Sequence, residues 1–241
     1  MIKLLLVEDD PNLAYIVSAG LEDMVGGYEV TTASNGAEGL EAWKNLRPDI
    51  IVSDIDMPVM DGFEMVRRIR EIDNNVAILF TSALTSPKDV KRGYALGVNN
   101  YIKKPFAPDE LDAHIHAILQ MKAARPERGP SSFKLGAHTL DSDRGMLRDD
   151  RTDQWRTLTV RESELLKLLA ENKNEVVRRE VILSRFWNTE DDYFASRSLD
   201  VFVTKLRKLF EDDPQIEIRT VRGVGITLEE HPDAGTQPSA Q

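Results

Sequence analysis

A chain of 241 residues allows one or two domains, each long enough for its own hydrophobic core, and no apolar run approaches the roughly 18 residues that cross a bilayer. The absence of cysteine excludes disulfides and thiolate metal sites and fits a reducing cytoplasm. The net charge of −10 would argue against nucleic-acid binding if it were evenly spread, but residues 1–124 hold 12 Lys/Arg against 19 Asp/Glu and residues 125–241 hold 19 against 22. A local basic face can therefore still meet phosphates, because screening limits distant charges to about 8 Å.

In chain order, the opening MIKLLLVEDD runs from a short apolar stretch into acids and reads as a strand, not a signal peptide. Strands are expected at Ile2–Val7, Tyr28–Ala33, Ile50–Ser53, Ala77–Thr81 and Asn100–Lys103. Helices are expected at Asn12–Met24, Ala37–Asn45, Gly62–Ile72, Pro87–Leu96 and Asp109–Met121. Five βα units predict an α/β domain, a five-stranded parallel doubly wound sheet, over residues 1–122. Residues 123–132 are rich in Pro, Gly and Ser and read as a linker. Over residues 133–229 the texture becomes α+β. Short strands span Phe133–Leu158, a helix is capped by Thr159 with Glu162 in a capping box, and further helices fall at Arg179–Phe186 and Ser196–Phe210. A hairpin pairs Ile216–Thr220 with Ile226–Leu228. Residues 230–241 read as a disordered tail.

Strands of a parallel sheet all end on one side, where open α/β sheets bind ligands. The residues at those ends are Glu8, Asp9 and Asp10, then Asp54 and Asp56, then Thr81 and Ser82, then Lys104. Three or more carboxylates repel one another and call for a cation. Oxygen ligands without His or Cys point to Mg²⁺ rather than zinc. Beside a metal and a lysine, one carboxylate can attack a phosphoryl group and become an acyl phosphate.

LLVEDD, DIDMPVMDG, LFTSA and YIKKPF, in that order and spacing, resemble the receiver domain of two-component response regulators. The resemblance implies a flavodoxin-like fold in which Asp54 accepts a phosphoryl group from a sensor histidine kinase. Glu8, Asp9, Asp54 and the backbone carbonyl of Asp56 would hold Mg²⁺, while Thr81 and Lys104 would contact the phosphoryl oxygens. It also implies a cis Lys104–Pro105 bond and a switch in which Thr81 moves and Tyr101 rotates inward. Asp10 is expected to line the site without binding metal. Asn99, Asn100, His114 and Val90 depart from the charged residues that the family usually carries on its dimer face, whereas Glu110 is retained. A weak homodimer on activation is therefore expected.

In Arg197–Phe210 the apolar residues Leu199, Phe202, Val203, Leu206, Leu209 and Phe210 share one helical face, opposite Arg197, Val201, Thr204, Lys205 and Lys208. That pattern fits a groove-binding helix and equally a solvated one. Together with Leu158-Thr159, Arg179-Glu180, Trp187 and Thr220-Val221-Arg222-Gly223, it resembles the winged helix-turn-helix effector domain of OmpR/PhoB-type transcription regulators. The resemblance implies binding to double-stranded promoter DNA. Ser196–Phe210 would be the recognition helix, Lys205 a base reader and Val201 a thymine-methyl contact. Arg197, Ser198, Thr204 and Arg207 would mainly face phosphates and Lys208 would also contact DNA, with Thr220 and Arg222 in the wing. Arg207 fits an intradomain bridge nearly as well, and Asp200 fits the orienting of a neighbouring arginine. Ile226 stands where the family commonly has tyrosine, and the acidic loop Asn188–Ala195 fits an approach to RNA polymerase or a solvated loop. The combined expectation is a phosphorylation-switched transcription regulator, not an enzyme and with no membrane partner. The alternatives are a haloacid-dehalogenase-like phosphatase, echoed by Asp54-x-Asp56, and a constitutive DNA binder with an unused receiver.

Overall fold

The structure, a computed structural model, describes residues 1–83, 86–123, 131–187 and 193–231. In the amino-terminal half, β1 (Ile2–Val7), β2 (Tyr28–Ala33), β3 (Ile50–Asp54), β4 (Ala77–Ser82) and β5 (Asn100–Lys103) pair in parallel in the order β2-β1-β3-β4-β5. The central strands carry apolar side chains on both faces because helices cover both. Leu4, Leu6, Ile50, Val52 and Leu79 pack toward α1 (Pro11–Ala19) and α5 (Pro108–Ala123). Leu5, Val7, Ile51, Ile78 and Phe80 face the other side, where α2 (Gly36–Leu46), α3 (Gly62–Arg70) and α4 (Pro87–Leu96) lie.

The helix expected at Asn12–Met24 is α-helical only to Ala19 and continues as a π-helical turn over Gly20–Val25. Its widening starts at Gly20, where a Cβ would strike the Pro108 ring at the start of α5. At the other end of the strands, Gly62 is required because a Cβ there would collide with the Asp54 carbonyl oxygen. That close approach brings the first turn of α3 against the end of β3.

The carboxy-terminal half begins with an antiparallel sheet of β6 (Ser132–Leu135), β7 (His138–Asp141), β8 (Met146–Asp149) and β9 (Gln154–Thr157). Next come α6 (Val160–Glu171), β10 (Val176–Arg178), α7 (Arg179–Trp187), α8 (Tyr193–Leu209), β11 (Ile216–Val221) and β12 (Gly225–Glu230). The expected capping box opens α6: the Thr159 hydroxyl accepts from the Glu162 N–H and the Glu162 carboxylate accepts from the Thr159 N–H. The final sheet has three strands, in the order β10-β12-β11. The periodicity of the sequence predicts only two, because β10 is three residues long, too short for alternation to show. Ile226 is buried in that sheet, opposite Val177 and Thr220.

Several expected boundaries shift. Helix α8 starts at Tyr193, earlier than Ser196. Residues 123 and 132, expected as linker, belong to α5 and β6, and Glu230, expected in the tail, closes β12. The remaining linker residues 124–130, the tail 232–241 and loop residues 188–192 lie outside the described residues.

The effector core includes a polar knot. Asp213, buried, accepts from the Ala137 N–H at 2.8 Å, from the Gln215 N–H at 3.1 Å and lies 3.0 Å from His138 Nδ1. Burial works against the Asp213 carboxylate, but these hydrogen bonds outweigh it and hold its pKa below the ordinary value of 3.8. Asp213→Ala leaves those donors unmet and is expected to destabilise the effector half by about 1–3 kcal/mol in denaturant unfolding near neutral pH. A carboxylate with a lowered native pKa stabilises the fold above its unfolded value. The deficit of the variant should therefore be full above pH 3.8 and shrink as pH falls from there through the lower native value.

Candidate functional site

The strand ends bring the acidic residues together as the sequence anticipates. Glu8, Asp9 and Asp54 each place a carboxylate oxygen within 4.8 Å of the others. Glu8 is fixed by its own N–H, which donates to the Ala33 carbonyl. Lys104 reaches across from the end of β5: its Nζ lies 2.5 Å from Asp54 Oδ2 and 2.7 Å from Glu8 Oε2. Burial raises the Glu8 pKa, against the pull of the Lys104 ammonium. For Lys104 burial works toward a lower pKa, but its hydrogen bonds to Asp54 and Glu8 prevail and raise it. The ammonium therefore stays charged at neutral pH. The Lys104–Pro105 bond is cis.

Asp54 Oδ1 accepts from the Ile55 N–H at 2.5 Å, which leaves Oδ2 turned to the lysine. Thr81, opposite Asp54 in the β3–β4 register, is buried, and its Oγ1 has no hydrogen-bond partner among the described residues. A buried hydroxyl without a partner is costly, and it needs an acceptor that arrives from outside. The donor set fits a divalent cation: hard carboxylate oxygens gathered around one concavity, with like-charge repulsion for a cation to offset.

Asp10 takes another role. Its carboxylate accepts from the Asn12 and Leu13 N–H groups and caps α1. Asp56 is exposed just past Asp54, its N–H 3.4 Å from Asp54 Oδ1. Just after it the Met60 N–H donates to the Pro58 carbonyl, so the chain turns about Val59 at φ 67°. A β-branched residue in that region is strained.

Tyr101 is buried rather than half-exposed. Its hydroxyl donates to the Asp89 carbonyl at 3.0 Å, and a Cβ on Gly93 would strike its ring. Asn100 Nδ2 lies 2.8 Å from His114 Nδ1, so two residues of the expected dimer face meet within the chain. Val90, Asn99 and Asn100 are all buried.

The effector residues sort less simply. Arg197, Thr204, Lys208, Thr220 and Arg222 are exposed. Lys205 pairs with Glu162 at 2.6 Å, and Asp200 orients Arg179 at 3.1 Å. Arg207 donates to the Ile218 carbonyl and the Thr220 hydroxyl, an intradomain link between α8 and β11. Ser198 differs from the role expected of it: it is fully buried and its hydroxyl donates to the Ala195 carbonyl, so it cannot reach a phosphate in this arrangement. Val201, expected to face outward, is also covered.

The cover is the receiver half. Helix α4 packs along α8, and a cavity of about 330 Å³ between them is lined by Pro87, Lys91 and Ala95 on one side and Arg197, Val201 and Thr204 on the other. Two packed helices have axes roughly 8–10 Å apart, whereas a major groove about 12 Å wide admits one. In this arrangement α8 cannot enter DNA. Arg161, which no sequence motif marks, joins the halves. Its guanidinium donates to the Phe186 carbonyl within the effector and to the Asn99 carbonyl of the receiver at 2.7 Å, and it stacks on Trp187 at 4.6 Å. Burial pushes its pKa down to about 10. The available signal was a basic residue four before Leu165, on the apolar stripe of α6.

Among the described residues, no helix is long and apolar enough to cross a membrane. Residues 4–116 match the family model of the response regulator receiver domain, and residues 153–228 that of the C-terminal domain of transcriptional regulatory proteins. The chain is 35% identical to the transcriptional regulatory protein RprY of Bacteroides fragilis over 94% of each chain. It is 36% identical to the transcriptional regulatory protein PrrA of Mycobacterium leprae, over 94% of this chain and 95% of that one. With the alkaline phosphatase synthesis transcriptional regulatory protein PhoP of Bacillus subtilis it shares 33% identity over 95% and 97%. A solved structure of a RitR mutant shares the fold at TM-score 0.72, with 23% identity over 96% of this chain and all of that one. The strand-end acids, the capped α6 and the wing thus belong to a response regulator of the OmpR/PhoB type, a transcriptional regulator with a receiver domain and a DNA-binding domain.

Proposed function

We propose that Asp54 takes a phosphoryl group from a phosphohistidine of a sensor kinase in the cytoplasm, and that this changes how α8 and the wing hold promoter DNA. The observation that carries this reading is the buried Thr81 hydroxyl without a partner beside Asp54 and Lys104. Asp54 Oδ2 attacks phosphorus, the P–N bond breaks, and the imidazole keeps the electron pair. Lys104 pairs with the incoming phosphoryl oxygens, exchanging a carboxylate partner for them. Thr81 donates its hydroxyl to another of those oxygens. Glu8, Asp9 and Asp54, with the Asp56 carbonyl, would hold Mg²⁺, which supplies charge that offsets repulsion between the carboxylates and the phosphoryl group.

On the DNA side, Arg197, Thr204, Lys208 and Arg222 would contact phosphates and Lys205 would read a base after leaving Glu162. Receiver pairing in a homodimer would use the α4–β5 face that α8 now covers, so it would follow separation of the halves. Contact of the acidic segment 188–195 with RNA polymerase belongs to the same proposal. A phosphatase reading is disfavoured by kinship with transcriptional regulators along nearly the whole chain.

Two measurements test this. Selection of bound duplexes from a random pool, with acetyl phosphate and Mg²⁺ present or absent, should enrich one motif far more strongly with the donor. Asp54→Ala should lose that difference, and equal enrichment in both would overturn the reading. Thr81→Val removes an unsatisfied hydroxyl, so its unfolding free energy should match or exceed wild type by about 1 kcal/mol, while its donor-dependent gain in DNA binding falls. A variant that gains DNA affinity as wild type does would remove Thr81 from the switch.

A further inference from the structure

A row of aromatic rings runs from the phosphoryl site into the DNA-binding helix. Phe80, next to Thr81 in β4, lies 5.4 Å from Tyr101, edge to face. Tyr101 lies 5.4 Å from Tyr94 on α4, and Tyr94 lies 5.8 Å from Phe202 on α8, again edge-on. Phe202 continues to Trp187 at 6.2 Å, the ring on which the Arg161 guanidinium rests. Tyr94, Phe80 and Phe202 are fully buried, so none of these rings can turn without displacing its neighbour.

Only one ring in the row touches both Tyr101 and α8. Tyr94 also meets Asn100 Oδ1 through its hydroxyl at 3.4 Å, so β5 fixes one edge of the ring while α8 packs on the other. Across the same boundary the buried Arg161 guanidinium donates to two carbonyls, one from each half. A buried cation satisfied in this way specifies an arrangement more than it stabilises one, because separation returns it to water.

Resting on the switch reading above, we propose that Tyr94 is the residue that couples Tyr101 to the recognition helix: its ring seats Phe202 and α8 against α4, and movement of Tyr101 withdraws that seat and frees α8 for DNA.

The chain has no cysteine, so Val201→Cys supplies a single thiol on α8 that is covered by α4 in the closed arrangement. Its maleimide labelling rate in the full-length protein reports opening. Two changes probe the coupling without any donor. Tyr94→Leu removes the ring, and Gly93→Ala places a methyl where the Tyr101 ring now lies, at a helix position that favours alanine. Each should raise the labelling rate several-fold, up to about tenfold, the factor that one edge-on aromatic contact represents. Acetyl phosphate with Mg²⁺ should raise it in the otherwise wild-type background and not in Asp54→Ala. Uptake of a phosphoryl group, read by intact mass, shows that each receiver is folded; if Tyr94→Leu loses it, Gly93→Ala decides. Unchanged labelling in variants that still take up the group would overturn the coupling role. A wild-type receiver that forms no adduct would instead overturn the switch reading, while the two donor-free variants still answer for Tyr94.

Discussion

One ammonium group holds the receiver site in its present form. Lys104 Nζ, 2.5 Å from Asp54 and 2.7 Å from Glu8, offsets repulsion that would otherwise splay the strand ends. Beside that pairing, the Thr81 hydroxyl has no hydrogen-bond partner among the described residues. A phosphoryl group would reverse both conditions at once, giving the lysine a more highly charged partner and the threonine an acceptor. The fold supports this by bringing four strand ends to a single edge and by closing the approach of α3 with Gly62.

The second constraint is spatial. Helix α8 serves as a core element of the effector half and as the surface on which α4 rests. Its apolar stripe of Leu199, Phe202 and Leu206 is buried as the helical period requires. Val201 and the cleft beside Thr204 are occupied by the receiver. Charge on the outer face is tied down within the chain, Lys205 by Glu162 and Asp200 by Arg179. For α8 to enter a major groove the helix packing would have to be released, and Lys205 could reach a base only by leaving Glu162.

Much of this was legible in the sequence, for identifiable reasons. Strands β1, β2 and β5 begin and end where the sequence places them, and the receiver acids follow from strand-end topology alone. The capping box at Thr159 is a local signal and appears as such. The residues that escaped depend on contacts distant in sequence. Strand β10 is too short to carry a period, and it exists because β12 offers a paired edge. The π-helical turn at Gly20 answers to Pro108, far along the chain. Arg161 is a basic residue within a helix, and no local motif marks it for burial; a carbonyl of the other half meets it there. Ser198 lies between Arg197 and Leu199, and only packing decides which neighbour it follows inward.

The account turns on covalent chemistry at a single carboxylate. The direct measurement is peptide-mapped mass spectrometry of the full-length protein after exposure to acetyl phosphate and Mg²⁺, with hydride trapping of the acyl phosphate. The account predicts one modified residue, Asp54, whose labelling disappears when magnesium is chelated. Modification confined to other carboxylates, or none in a folded protein, would contradict it.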